Sequence, residues 1–437
     1  MQVKDCFEVR PGVGVRGETI VPGDKSISHR AVFFGALANG TTRVRGWLPA
    51  GDTEASLGAA RALGINIDRH SPTELTIYGG QLRPPAAALD LVNAGTGIRL
   101  LTGIMAGQSF QSVLDGSEQL RRRPMNRIIT PLKMMGADIE GVNGYAPLTV
   151  RPAKLRGIHY HMPMASAQVK SAILLAGLFA EGETSVTQPG PARDHTERML
   201  KAMGVDLQDD GETVTLKPIS RLNPMDFTVP GDLSSAAFLI VAALILPDSD
   251  ITLTGVSLNP TRTGILEALK TMGADLTVTE TGLEAGDPVG TIQARTSQLK
   301  GTRIGGELVV RMIDEFPIFM VASLFAEGET YVRDAGELRV KETDRLSVMT
   351  EELSKLGAKI NEMEDGYYVY GRQSLKGATA FGHDDHRISM ALVVAGLAAH
   401  GDSTVMDAEC ASDSFPGYAE TLRRLGADVH VKLLEHE

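Results

Sequence analysis

The chain has 437 residues, 43% hydrophobic and 22% charged, an ordinary globular composition with length enough for two or three cored domains. A net charge of −11 and an aromatic content of 5% argue against nucleic-acid or anionic-membrane partners, so any anionic ligand must be held by local Lys and Arg clusters. Cys6 and Cys410 are the only cysteines, which fits a reducing compartment. The start, MQVKDCFEVRPG, has no signal-peptide core and no apolar run reaches spanning length, so a cytoplasmic location is expected.

Along the chain, a helix-like apolar run gives way six times to a short extended stretch and a second helix. That second helix closes on Leu63-Gly64, Met135-Gly136, Met203-Gly204, Met272-Gly273, Leu356-Gly357 and Leu425-Gly426. A period of about seventy residues marks one supersecondary unit copied along the chain. Helical spacing places the first helices over Lys25–Leu37, Thr96–Ala106, Ser166–Ala180, Asp232–Leu246, Asp314–Ala326 and Asp385–Ala399. Most start beside Ser, Thr or Asp, which can cap free N–H groups. Gly40, Gly182, Gly328 and Gly401 read as helix stops before strands. Helices alternating with strands give an α/β or α+β architecture.

Val-Pro-Gly-Asp occurs at 21–24 and again at 229–232, bracketing three of the six repeats. A chain crossing between two bodies there leaves 22–230 as one three-repeat domain, with 1–21 and 231–437 as the other. Coincidence within a repeated sequence is the competing reading; the restricted φ/ψ of Pro and Gly favours a junction.

Basic and polar residues crowd the helix starts. Lys25, Ser26 and Arg30 lie near a helix N-terminus, where free N–H groups and the dipole favour phosphate or carboxylate. A solvated charged cap is the bland alternative, and the glycine spacing is not that of a P-loop. Asn93–Arg99 is a second small-residue turn in which Gly95 and Gly97 permit close backbone approach. Arg121-Arg122-Arg123-Pro124 is a basic run in which Pro124 can start a helix. Met164–Lys170 supplies hydroxyl, amide and ammonium at a third start.

The second half offers Asp314-Glu315-Phe316-Pro317, the alternating acids and bases of Glu337–Leu346, and Asp384-Asp385-His386-Arg387. Carboxylates beside Lys and His suit general acid–base work, and Arg123, Arg345 and Arg387 could clamp a small polyanion. Surface ion pairs of little energy are the alternative for each. His29, His195, His383 and His386 lie near carboxylates, but no pair has zinc-ligand spacing, so no metal site is expected.

The segments PGDKSISHR, NAGTGIR, RRRPM, MASAQVKSA, RDHTER, GDLSSAAF, DEFP, ELRVKETDRL, DDHRISMA and SFPGY, in that order, resemble the 5-enolpyruvylshikimate-3-phosphate synthase (3-phosphoshikimate 1-carboxyvinyltransferase) family nearly end to end. The resemblance implies two domains, each of three βαβαββ repeats in an inverse α/β barrel-like arrangement, with the active site in the interdomain cleft. It implies enolpyruvyl transfer from phosphoenolpyruvate to the 5-hydroxyl of shikimate 3-phosphate, in aromatic amino-acid biosynthesis, without metal or organic cofactor. A monomer acting on these two small substrates is the expectation.

Carried over residue by residue, the resemblance gives Lys25 contact with both substrates. Ser26, Arg30, Ser166, Ala167, Gln168, Arg193, Asp314 and Lys341 would hold shikimate 3-phosphate. Gly95, Arg123, Gln168, Arg345 and Arg387 would meet phosphoenolpyruvate. Asp314 would act as base, Lys25 and Glu342 would carry protons, and His386 would support them; the division of steps between the carboxylates stays open. Attack of the hydroxyl on C2 with protonation at C3 gives a tetrahedral ketal that expels phosphate, which a cation-rich, water-excluding site favours.

The sequence departs from the family pattern at a few places. Asp413 precedes Ser414-Phe415-Pro416 where many members have lysine, so a modestly raised KM for phosphoenolpyruvate is expected. Ala167 and Glu337 stand where some members have Ser and Asn. Gly97 and Leu100 leave sensitivity to glyphosate, which competes with phosphoenolpyruvate in the family, open.

Two rivals remain. The sister transferase acting on UDP-N-acetylglucosamine usually carries a loop cysteine, and Gln111–Arg123 contains none. A non-catalytic repeat scaffold would spread apolar anchors over an open face rather than gather charges at helix starts.

Overall fold

A computed structural model describes residues 4–12 and 14–434. Residues 1–3 of the start read above for a leader, with Val13 and residues 435–437, lie outside the described residues. Among the described residues the repeats appear as six four-stranded sheets, each with a parallel pair at one edge next to an antiparallel pair. In the second repeat Leu89–Asp90 runs parallel to Ser112–Asp115, which is antiparallel to Tyr145–Arg151, itself antiparallel to Asp138–Val142.

Three of the six sheets are completed by chain from far away. Asp226–Thr228 lies parallel beside Thr41–Arg45, and Arg16–Thr19 beside Asp250–Ser257. Lys4–Arg10 pairs with both Ser403–Met406 and Asp428–Leu434. The chain divides into two compact units, one of Gly23–Pro230 with Leu283–Asp287, the other of Met1–Pro22, Gly231–Gly282 and Pro288–Glu437. The sequence division placed 283–287 with the C-terminal half; their contacts instead put this short turn with Gly23–Pro230. The Val-Pro-Gly-Asp segments are tied reciprocally, each within its own unit. Asp24 N–H donates to the Pro230 carbonyl at 2.8 Å, and Asp232 N–H to that of Pro22 at 2.8 Å.

Each repeat contributes two helices of different character. The first is buried nearly all round: all thirteen residues of Leu233–Ile245, an uninterrupted apolar run apart from Ser234 and Ser235, are buried. Truncating one of its leucines to alanine would cost about 2–5 kcal/mol. The second is amphipathic, and six of six end on a glycine with φ between +85° and +102°, where a side chain would be strained. The helices Gly95–Ala106 and Ala167–Gly177 approach so closely that a Cβ on Gly103 would lie 2.3 Å from the Ala172 carbonyl oxygen. Each unit thus has its own core, one around Ile27, Phe33, Ile104 and Leu174, the other around Phe238, Phe319 and Leu392.

Two expected helix starts are displaced. Asp314–Ala326 begins as a separate 3₁₀ turn over Ile313–Glu315, and the α-helix runs Phe316–Leu324 with Pro317 in its first turn. Pro124 does not open a helix: it sits between Glu118–Arg121 and Asn126–Met134, so it breaks the chain rather than nucleating a turn.

Candidate active site

In the Gly23–Pro230 unit, Asp24 caps the helix Lys25–Leu37, its carboxylate accepting from Ile27 N–H at 2.9 Å. Only glycine fits just before it, since a Cβ on Gly23 would lie 2.0 Å from the Gly46 carbonyl oxygen. Lys25 Nζ lies 2.6 Å from the Asp52 carboxylate in the first turn of the helix Gly51–Ala62.

One turn on, Arg30 is 3% exposed. Its guanidinium donates to Thr196 Oγ1 at 2.8 Å, to the Ser26 carbonyl at 2.8 Å and to Ser171 Oγ at 3.1 Å. All three acceptors are neutral. Burial pulls its pKa down to about 10, against the fields of Glu197, Asp24 and Asp287. A buried cation held only by neutral acceptors is receptive to an incoming anion. Arg193, half-buried, adds positive charge within reach of Arg30.

The second helix start is organised by two arginines. Arg123 lies directly against Gly95: a Cβ there would sit 2.5 Å from Nη1. Arg99 is buried and donates to Gln168 Oε1 at 2.5 Å, to the Gly95 carbonyl at 3.3 Å and to the Pro124 carbonyl at 3.2 Å. Gln168 in turn donates to Thr96 Oγ1 at 2.9 Å. Ser166 caps the helix Ala167–Gly177, its hydroxyl accepting from Val169 N–H at 3.4 Å. Beneath these, the Lys170–Glu197 pair is fully buried at 2.5 Å, and burial raises the Glu197 carboxyl pKa.

In the other unit, Asp314 is the focus. Its carboxylate lies 3.9 Å from Lys341 Nζ, 3.5 Å from Arg345 Nη1 and 3.9 Å from Arg387 Nη2. Arg387 also donates to the Asp314 carbonyl at 3.4 Å. Arg345, its side chain 1% exposed, donates to Asp385 at 2.8 and 3.2 Å and to Glu342 at 2.7 Å. Burial pulls the Arg345 pKa down, but Asp385, Glu342 and Asp314 outweigh it and the net value is raised. His386 is buried at the start of the helix His386–Leu397, where Asp385 caps by accepting from Arg387 N–H at 3.0 Å. Three carboxylates and three cations therefore share one site, with a histidine at the adjoining helix start, the composition needed to hold an anion and move a proton beside it.

The family model for EPSP synthase (3-phosphoshikimate 1-carboxyvinyltransferase) matches residues 9–422. The chain belongs to the EPSP synthase family. Among its relatives, the 3-phosphoshikimate 1-carboxyvinyltransferase of Desulforamulus reducens is 49% identical over 422 residues, 95% of this chain and 98% of that protein. That of Geobacter sp. (strain M21) is 50% identical over 421 residues, with the same coverage, 95% and 98%. A solved EPSP synthase from Acinetobacter baumannii superposes with a TM-score of 0.90 at 44% identity, covering 98% of this chain and 100% of that one.

Against this family background, several residues that shape the site escaped the sequence reading. Asp52 follows Ala50-Gly51, a small-residue helix opening of the same kind as Asn93–Arg99, so the signal was present. Arg99 and Thr196 lie inside the segments NAGTGIR and RDHTER, but their partners lie 69 and 166 positions away, beyond the reach of any local spacing. Asp385 proves to be both helix cap and anchor of Arg345. Asp413 ends the 3₁₀ turn Ala408–Asp413 and is half-buried. Burial, then Asp385, then Asp413 raise the Cys410 thiol pKa, which puts the fields of both carboxylates at that side chain.

Proposed function

We propose that this chain transfers the enolpyruvyl group of phosphoenolpyruvate to the 5-hydroxyl of shikimate 3-phosphate, releasing inorganic phosphate, as a step of aromatic amino-acid biosynthesis. The observation that carries the reading is the Asp314 site in a member of this family: one carboxylate among Lys341, Arg345 and Arg387. Asp314 takes the proton of the attacking hydroxyl while Lys341 aligns it. Arg345 and Arg387, with Arg123 and Gln168, bind the anionic groups of phosphoenolpyruvate, and Gly95 leaves room for them. Glu342 and Lys25 deliver and recover the proton at C3, with His386 in support.

Shikimate 3-phosphate is bound through Lys25, Ser26, Arg30, Ser166, Ala167, Gln168 and Arg193. Arg30 supports this assignment, since its neutral partners leave its charge for the substrate. The addition gives a tetrahedral ketal, and the cations stabilise the phosphate that leaves it.

We read the protein as a cytoplasmic monomer. No helix among the described residues is long and apolar enough to cross a membrane, and both cysteines are free. Sedimentation of the purified chain tests the monomer. The reaction is tested by phosphate release: it requires both substrates, and replacing shikimate 3-phosphate with UDP-N-acetylglucosamine abolishes it.

A further inference from the structure

A short turn distant in sequence supplies a buried acid to the N-terminal unit. Leu283–Asp287 joins the strands Asp275–Glu284 and Asp287–Arg295 and belongs to the Gly23–Pro230 unit. Its turn uses Ala285 and Gly286 at φ +52° and +83°, and a Cβ on Gly286 would come within 2.9 Å of the Arg198 carbonyl oxygen. Arg198 donates to the Gly286 carbonyl at 3.2 Å, and Glu284 accepts from Thr228 N–H at 2.9 Å. Asp287, fully buried, lies 2.9 Å from His195 Nδ1, and Arg198 Nε is 3.7 Å from its other oxygen. A carboxylate taken wholly out of water is costly unless paired, and a hydrophobic tip would have docked a turn more simply.

What Asp287 holds is the first residue of the helix His195–Ala202. The next residue, Thr196, is fully buried; its hydroxyl accepts from Arg30 Nε at 2.8 Å and lies 2.8 Å from Ser171 Oγ, the second hydroxyl bound to Arg30. Asp287 therefore reaches Arg30 in two ways, by fixing the helix start that carries Thr196 and by its charge, which favours the guanidinium cation.

We propose that Asp287 and His195 are positioning residues for shikimate 3-phosphate, setting the place of Arg30 through Thr196. This rests on the functional reading above. Neither residue touches substrate; both act through the Arg30 hydroxyl cradle.

The test is steady-state phosphate release by Asp287→Asn, Asp287→Ala, Thr196→Val and Thr196→Ser. Asp287→Asn should raise the KM for shikimate 3-phosphate about tenfold, with kcat and the KM for phosphoenolpyruvate within about twofold of wild type. Asp287→Ala should raise it further. Thr196→Val should resemble Asp287→Asn, and Thr196→Ser, which keeps the acceptor, should restore near-wild-type KM. Combining Asp287→Asn with Thr196→Val should give much less than the product of the single effects, because both act on one contact.

If Asp287→Ala does not fold, Asp287→Asn and the Thr196 pair decide the matter. An unchanged KM for shikimate 3-phosphate in Asp287→Asn overturns the proposal, as does an equal loss across kcat and both KM values. A wild type that releases no phosphate defeats the functional reading and this inference with it. Turnover by the wild type with an indifferent Asp287→Asn defeats this inference alone.

Discussion

Gly95→Ala separates substrate binding from folding in a single methyl group. The added Cβ would lie 2.5 Å from Arg123 Nη1, 2.7 Å from Cζ and 3.1 Å from Nη2. Ordinary contact begins near 3.4 Å, so the guanidinium must retreat by about 1 Å. The three nearest atoms all belong to the end of one flexible side chain, and alanine favours a helix more than glycine does, so stability should change by less than about 1 kcal/mol. A misplacement of about 1 Å in a binding cation is enough for a loss of about 10- to 100-fold. The loss should appear as a raised KM for phosphoenolpyruvate, measured by phosphate release at saturating shikimate 3-phosphate, whose own KM stays within about twofold. A phosphoenolpyruvate KM within twofold of wild type, or an equal rise for both substrates, would refute the placement of Arg123 at that substrate.

Asp314→Asn should lower kcat by about 10²–10⁴ with smaller effects on either KM, the range for losing a general base; a loss confined to KM would make Asp314 a binding group only. Asp413→Lys should lower the KM for phosphoenolpyruvate about two- to fivefold by reversing a like charge near an anion, and an unchanged KM would show that the carboxylate is too far to matter. His29 gives a pH prediction. Burial, opposed by Asp52 and reinforced by Lys25 and Arg30, lowers its pKa from 6.5 to about 3. The folded state thus keeps His29 neutral while the unfolded chain takes up a proton below pH 6.5. Its contribution to stability is full above that pH and is lost as pH falls toward about 3, by on the order of 4–5 kcal/mol at most. Denaturant titrations from pH 7 to 4 should show a shallower acid loss in His29→Asn than in wild type, and parallel slopes would remove His29 as the cause.

What could be read from sequence was what is local. Leu-Gly and Met-Gly endings announce helix stops because only glycine takes positive φ without strain, and all six do so. Asp24, Ser166, Asp232 and Asp385 advertise caps because a cap reaches only two or three residues along the chain. Asp314, Lys341, Arg345 and Arg387 stand out for their chemistry, but their common site is made by pairing across 27 to 73 positions, which no spacing encodes. The strands that complete three sheets from a distance were equally hidden: Lys4–Arg10 and Arg16–Thr19 look like any short extended run. Asp287 was invisible for the same reason, since its partner lies 92 positions earlier. Where a local rule misled, as at Pro124, the residue served equally well as a breaker between two short helices.

The most direct test of the account is phosphate release from phosphoenolpyruvate and shikimate 3-phosphate by the wild type and by Lys25→Met. The wild type should release phosphate only when both substrates are present. The variant, lacking the ammonium that lies 2.6 Å from Asp52 and is assigned to both substrates, should be nearly inactive while keeping its thermal unfolding profile. A wild type that is silent with this pair, or a folded Lys25→Met that turns over normally, would contradict it.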